Sequence, residues 1–301
     1  MNQAMRKTKS TTRTETYKPT HLAKADLHNH LSTGSNISGG NLFKKTIIKA
    51  NEMLGPNGII GLVNFEDQRY ETFCSLPGYP REGFENAMLV RAPMEGYSAV
   101  PDHVLIVRGQ EIPTKQGHLL VLGLNKHNNI ESGKSLEYTI TKSRLAGGII
   151  MADHPFHRDG IGPYLLSLDE EKRTNVLNQF DAIEVHNGEA ELWLPGYTEA
   201  NKKSLEFYSN LPTEHEIGAV STSDGHTLSE IGRCYTYLEL EKPITELENA
   251  DDVRNTLRES IRKSNVGMGL KMKSGAAYAL WHAAALFGYH VPMDRFIRKN
   301  K

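Results

Sequence analysis

The chain has 301 residues, 38% of them apolar and 24% charged, with a formal net charge of -1. That is enough chain to bury a large core in one domain, and the composition is that of an ordinary globular protein. The near-neutral charge excludes a global attraction to nucleic acid or an anionic membrane, and the two cysteines, Cys74 and Cys234, exclude a disulfide framework and show no paired zinc spacing.

In chain order, residues 1–20 carry Arg6, Lys7, Lys9 and Arg13 without the apolar run of a secretory signal. They predict a disordered polar tail on a cytoplasmic chain. "HLAKADLH", from His21, predicts a strand, and "NLFKKTIIKANEML" predicts an amphipathic helix ended by Gly55 and Pro56. The runs "GIIGLVNF", "HVLIVRGQEI", "GHLLVLGL", "GGIIMADH", "FDAIEVHN" and "IGAVSTSD" are short and rich in Val, Ile and Leu, as in a parallel sheet buried on both faces. Helices are expected in "SLEYTITKSRLA", "SLDEEKRTNVLNQ", "YTEANKKSLEFYSN" and "ADDVRNTLRESIRKS".

Residues 68–102 interrupt this rhythm with Pro77, Gly78, Pro80 and Gly83, then an expected helix in "GFENAMLVRAPMEGY". They read as an insertion over the mouth of the domain, which itself spans 21–265. Residues 266–301 include "SGAAYALWHAAALFGYHV", too short and too punctuated by Gly275 and Gly288 to span a membrane. They read as a helical extension docked on the domain or on a partner subunit, so no transmembrane segment is expected.

Strands alternating with helices give an α/β class, either a barrel or a doubly wound sheet. Polar residues decide between them. Asp26, His28 and His30 alternate, so period two sends two imidazoles and a carboxylate toward one face of an extended segment, the nitrogen and oxygen donors a divalent metal takes. Glu111, His154, Glu184, His186, Asp224 and His226 close other strands. Donors gathered at the C-terminal ends of many strands suit a barrel, whose active site is built at that end.

Taken in order, "DLHNH", "RGQEIPTKQGHLLVLG", "ADHPFH", "AIEVHN" and "STSDGH" resemble the PHP family, the polymerase and histidinol phosphatase superfamily of metal-dependent phosphoesterases, over residues 22 to 240. One His-x-His is a weak sign; five motifs in order, each at a strand end, are a strong one. The resemblance implies a distorted seven-stranded α/β barrel holding two or three Mn, Zn or Fe ions. It implies His28, His30, Glu111 and Asp224 around a first metal, Glu111 bridging to a second held by His118 and His154, and His226 on a third. The chain departs from the pattern at "STGSNISGG" and at "VNFED", where Phe65 or Glu66 stands in place of a histidine. Glu66 is then a substitute oxygen ligand suited to Mn or Fe, and a two-metal site is favoured over three.

Asp26 reads as an acceptor orienting a ligating imidazole, and Glu184 as a residue that reaches metal or substrate or serves packing. His157, Arg158 and Arg233 are candidate phosphate contacts, the guanidinium offering a fork of donors to phosphoryl oxygens. The expected chemistry is hydrolysis of a small phosphomonoester or nucleotide by metal-bound hydroxide, with Asp224 at the metals and His226, if freed from metal duty, as general acid. A nuclease acting on single-stranded nucleic acid ends is the alternative, for which net charge gives no support. A non-catalytic PHP-like binding module is a further alternative. An amidohydrolase is disfavoured because no lysine stands at a strand end.

Overall fold

The computed structural model describes residues 21–30, 39–65, 70, 81–83, 86–91, 103–125, 128–190, 199–212, 215–226, 228 and 230–265. Among these, ten strands form one sheet: β1 (His21–Asp26), β2 (Gly58–Asn64), β3 (Arg81–Gly83), β4 (Ala87–Arg91), β5 (His103–Thr114), β6 (Gly117–Leu122), β7 (Ile149–Ala152), β8 (Ala182–Asn187), β9 (Gly218–Thr222) and β10 (Thr236–Leu240). The helices are α1 (Gly39–Leu54), α2 (Leu136–Leu145), α3 (Gly162–Ser167), α4 (Glu170–Leu177), α5 (Ala200–Ser209) and α6 (Ala250–Arg262). Their ends follow local chemistry. Ser135, Asp169 and Asn249 cap α2, α4 and α6 by accepting a hydrogen bond from a first-turn amide, and Asp251 and Asp252 complement the positive end of the α6 dipole.

The sheet runs β10-β1-β2-β5-β6-β7-β8-β9 and curls into a nearly closed barrel. Beyond β1 and β9 the chain continues to a parallel bridge between Asn29 and Gly225, with His30 N donating to Gly225 O at 2.6 Å and Gly225 N to His28 O at 3.2 Å. Seven strands, β1, β2 and β5 to β9, thus meet at the C-terminal rim. At the other end β10 lies against β1, antiparallel, from His21↔Leu240 to Ala25↔Thr236.

Alternation along the strands separates two layers. Leu105, Val107, Leu120, Leu122, Ile149, Met151, Ala182 and Val220 form the interior with Val253, Leu257 and Ile261 of α6. Leu119, Val121, Ile150, Ala152 and Ile183 face α2 to α4 through Ile140, Leu165 and Leu177, and Ile60, Leu62 and Ile106 face α1. Both strand faces are buried, which is why the strands lack a polar edge pattern.

Three local expectations are corrected. β6 is antiparallel to β5 and β7, because only Lys115 and Gln116 join β5 to β6 and a parallel crossover needs far more chain. The helix expected across 83–97 gives way at Ala87–Arg91 to β4, paired antiparallel with β5 from Ala87↔Val107 to Arg91↔His103. Pairing there overrides the helix propensity of Ala, Met and Leu. This part of the 68–102 insertion lies along the N-terminal half of β5, away from the rim where the donors gather, with β3 paired on β4; apart from these strands, Tyr70 and Asn86, the rest lies outside the described residues. So do the tail 1–20, the extension 266–301, Glu66 and Cys74. β10 and α3 were not anticipated. No helix among the described residues is long and apolar enough to cross a membrane.

Candidate metal centre

Six strands, β1 and β5 to β9, deliver donors to one spot. Beyond Asp26 the strand ends, and His28 and His30 turn into the rim while Leu27 joins Ala23 and Ala25 in the interior. Gly61 permits this path: a Cβ there would lie 1.9 Å from Leu27 O. Glu111 sits on β5 on the same face as Leu105 and Val107. Three non-glycine residues among those described take positive φ, and two of them, His154 (22°) and Asp224 (50°), stand in this cluster. Such backbone costs on the order of 1–3 kcal/mol and concentrates at functional sites.

The donors form three overlapping groups whose ligand atoms lie within 4.8 Å of one another: His28, His30 and Asp224; Glu111, His118, Asp153 and His154; and His28, Asp153 and Glu184. Glu111 stands between the first two. Its Oε2 is 2.8 Å from His30 Nε2 and 3.8 Å from His28 Nε2. Its Oε1 meets His118 Nδ1 and lies 3.4 Å from His154 Nε2. Asp224 Oδ1 lies 3.4 Å from His28 Nε2 and 3.6 Å from His30 Nε2. His28, Glu184 and Asp153 are fully buried.

A scaffold of hydrogen bonds holds these groups. Glu184 Oε1 lies 3.1 Å from His28 Nδ1 and accepts from Thr222 Oγ1 at 2.9 Å; its Oε2 accepts from His154 N at 3.0 Å and Asn187 Nδ2 at 2.9 Å. Asn187 Nδ2 also reaches Asp224 Oδ2 at 3.2 Å. Asn201 of α5 fixes the Asn187 backbone in turn, by Oδ1 on its N–H and Nδ2 on its carbonyl, both at 2.9 Å. Asp26 stands elsewhere than period two suggests. Its two oxygens accept from Ser223 N at 2.9 Å and Gly232 N at 2.8 Å, so it braces the chain beside Asp224 and belongs to none of the donor groups. Burial pushes its carboxyl up to about 6.

The cluster lacks positive charge, and its proton affinities show it. Burial pushes the His28 imidazolium down, yet Asp224, Asp153 and Glu184 hold it well above its ordinary range. His154 rises to about 10 despite burial, through Asp153 and Glu111. Burial raises the Asp153 carboxyl to about 8 and lowers His30 to about 4. Burial opposes ionisation of Glu111 and Glu184 too, but the imidazoles on Glu111 hold it well below the usual carboxylate range, and His28 brings Glu184 to about 2. Protons on His28, His154 and Asp153 thus supply part of the charge the carboxylates demand.

His226 flanks the cluster. Its ring centroid is 4.9 Å from that of His30, its Nδ1 is 2.9 Å from the carbonyl of Asp224, and its N–H donates to Glu230 Oε2 at 2.7 Å. Among the described residues no three-donor group includes it. Phe65 stacks on His30 at 4.6 Å and 12°, so an aromatic face covers the side where a third-site histidine was sought. His157 packs 5.1 Å from His154, and burial lowers its imidazole to about 4. It is therefore neutral near pH 7, a hydrogen-bonding group rather than a cation. Arg158 is exposed and Arg233 half-buried. Sequence reasoning missed Asp153, Asn187 and Thr222. The Asp-His doublet before Pro155 was the available sign of the first; the other two are set by tertiary contacts alone.

No family model matches the chain, and no curated protein matches it. Solved structures do resemble it. One is a two-domain protein from Bacteroides vulgatus containing a predicted PHP-like metal-dependent phosphoesterase, at 16% identity and TM-score 0.45 over 80% of this chain and 64% of that one. A second is endonuclease Q in complex with a duplex bearing an abasic lesion, at 13% and 0.49 over 84% of this chain and 59% of that one. A third is the lesion-specific endonuclease Q of Pyrococcus furiosus, at 14% and 0.49 over 90% and 67%. The chain thus spans about three fifths of the length of the first two.

Proposed function

We propose that the chain is a divalent-metal-dependent phosphoester hydrolase of the cytoplasm, acting on a small phosphomonoester or nucleotide. The observation that supports this most is the division of Glu111, one oxygen turned to His28 and His30 and the other to His118 and His154. A carboxylate so shared is what a pair of cations requires. The donor chemistry fits: imidazole nitrogens and carboxylate oxygens suit Mn, Fe or Zn, and Asp224 Oδ1 and both Asp153 oxygens are buried without a hydrogen-bond partner. In this reading His28, His30, Asp224 and Glu111 hold one ion, and Glu111, His118 and His154 the other. Bound ions would acidify a water and offset charge developing on the phosphoryl oxygens.

The chain's own groups do the rest. Asn187 holds the Asp224 carboxylate and Glu184 holds His28, so the donors keep their places before any ligand arrives. His226, with Nδ1 turned to the Asp224 carbonyl, has Nε2 to pass a proton to the leaving oxygen. Arg158 and Arg233 supply guanidinium forks to the phosphate, and neutral His157 a hydrogen bond. The buried Cys234 thiol accords with a reducing compartment.

The test is metal content and turnover of the purified chain on p-nitrophenyl phosphate, its diester and a single-stranded oligonucleotide, with Mn added. We expect two ions per chain and monoester hydrolysis, both lost in His28→Ala. Full occupancy and turnover in His28→Ala would overturn the proposal. Cleavage confined to the oligonucleotide would keep the metal chemistry and move the substrate to nucleic acid ends.

A further inference from the structure

We propose that Asp153 is a direct ligand of the second ion, and that Glu184, which lies equally close to the same imidazole, is a positioning residue that binds no ion. This rests on the metal-dependent reading above and divides a donor group, His28, Asp153 and Glu184, whose members do not have the same task.

Both carboxylates approach one atom. Glu184 Oε1 lies 3.1 Å and Asp153 Oδ1 3.3 Å from His28 Nδ1, and a single N–H makes only one full-strength hydrogen bond. Glu184 is built to accept it. Thr222 fixes its Oε1, and Asn187 and the His154 amide fix its Oε2, so both oxygens are already engaged and oriented. An Nδ1–H given to Glu184 leaves His28 Nε2 with its lone pair turned toward His30, Asp224 and Glu111.

Asp153 has the opposite surroundings. It is completely buried, yet neither oxygen accepts a hydrogen bond, a state that is costly for a carboxylate unless a cation meets it. The backbone turns a second donor in beside it. Ile149 and Met151 face the interior and Ile150 and Ala152 the helices, so continued alternation would put Asp153 inside and His154 outside. The turn at His154, φ 22°, instead returns His154 Nε2 to 3.4 Å from both Asp153 Oδ1 and Glu111 Oε1. Consecutive side chains then share one target with His118. With Asp153 included, each side of Glu111 has two imidazoles and one aspartate. Two divalent ions facing Glu111, Asp153 and Asp224 would keep one net positive charge, directed at an arriving phosphate.

The experiment is a cobalt(II) titration of the full chain followed by its visible spectrum and by calorimetry. The wild type should take up two equivalents. Asp153→Asn should bind the first unchanged and the second at least ~100-fold more weakly, beyond the usual effect of an outer partner. Glu184→Gln should instead weaken the equivalent held by His28, by about 10–100-fold. Asp153→Cys gives a direct readout that also serves if Asp153→Asn fails to fold: a thiolate-to-cobalt charge-transfer band should appear with the second equivalent. A folded Asp153→Cys that binds two ions without the band, or an Asp153→Asn that titrates like wild type, would overturn the assignment of Asp153 and leave the metal-dependent reading standing. No cobalt uptake by the wild type would overturn both.

Discussion

Asp181 and Asp153 are both wholly buried aspartates of one barrel, at opposite ends of it. Asp181, just before β8, takes Arg144 Nη1 at 2.8 Å, Arg262 Nε at 2.8 Å, Arg258 Nε at 3.7 Å and the Ile150 amide at 2.9 Å. Its charge is met from within the chain, and it ties α2 and α6 to the sheet. Asp153, just beyond β7, faces imidazoles and has neither oxygen hydrogen-bonded. The same buried side chain is a fastening where fixed guanidinium groups surround it and, on the proposal above, would be a binding group where they do not.

The sharpest way to break this contrast is to strike the shared carboxylate at the rim. Glu111→Gln keeps the shape but removes the one charge that both ions would share, and hydrolysis of p-nitrophenyl phosphate should fall by on the order of 10³-fold or more. Urea unfolding of the metal-free variant should change far less than that. At the other end, Asp181→Ala leaves three arginines without their partner. Because they are partly exposed and can rehydrate, the loss should be about 2–4 kcal/mol in urea unfolding, with metal affinity unchanged.

A pH series separates the ends without mutation. His154 and Asp153 have folded values of about 10 and about 8, both raised above the ordinary ones. A raised group stabilises the fold below its unfolded value and loses that contribution as pH climbs through its folded value. Glu184, lowered to about 2, works at the acid side: its contribution is present above its ordinary range and lost as pH falls toward 2. The metal-free chain should therefore weaken as pH falls from about 4.5 toward 2 and as it rises from about 6.5 toward 10, as read by thermal melts. Added Mn should flatten the alkaline limb, since the ions replace the protons. Flat alkaline melts in the metal-free chain would count against a charge-starved rim. The smallest effect belongs to Asn187→Ala, which frees Asp224 Oδ2 and Glu184 Oε2 from one amide. Metal affinity should drop by about 10-fold.

What could be read from residue order follows from what each element depends on. Period and composition located β1, β2, β5 to β9 and five helices, because apolar stripes are written locally. Strand direction is not local, so the reversal at β6 emerged only from its register with β5 and β7. Ala87–Arg91 consists of good helix formers and is a strand because β5 offers an edge. His28, His30, Glu111, His154 and Asp224 stand out by position at strand ends and His118 only through the family resemblance, and the structure gathers them into neighbouring donor groups. Asp26 and His154 show the limit of period-two reasoning: the strand stops at Asp26 and the backbone inverts at His154, so the first leaves the cluster and the second enters it.

The Asn29–Gly225 bridge lies between His28 and His30 on one side and next to Asp224 on the other. The seam where the ring shuts and the place where the first set of donors assembles are therefore one piece of molecule. Cations seated there would act as a clasp across the chain's longest detour, adding their binding energy to that of shutting the ring. A polypeptide still open at that seam would have no complete set of donors, so ion capture would be a sign that folding has finished.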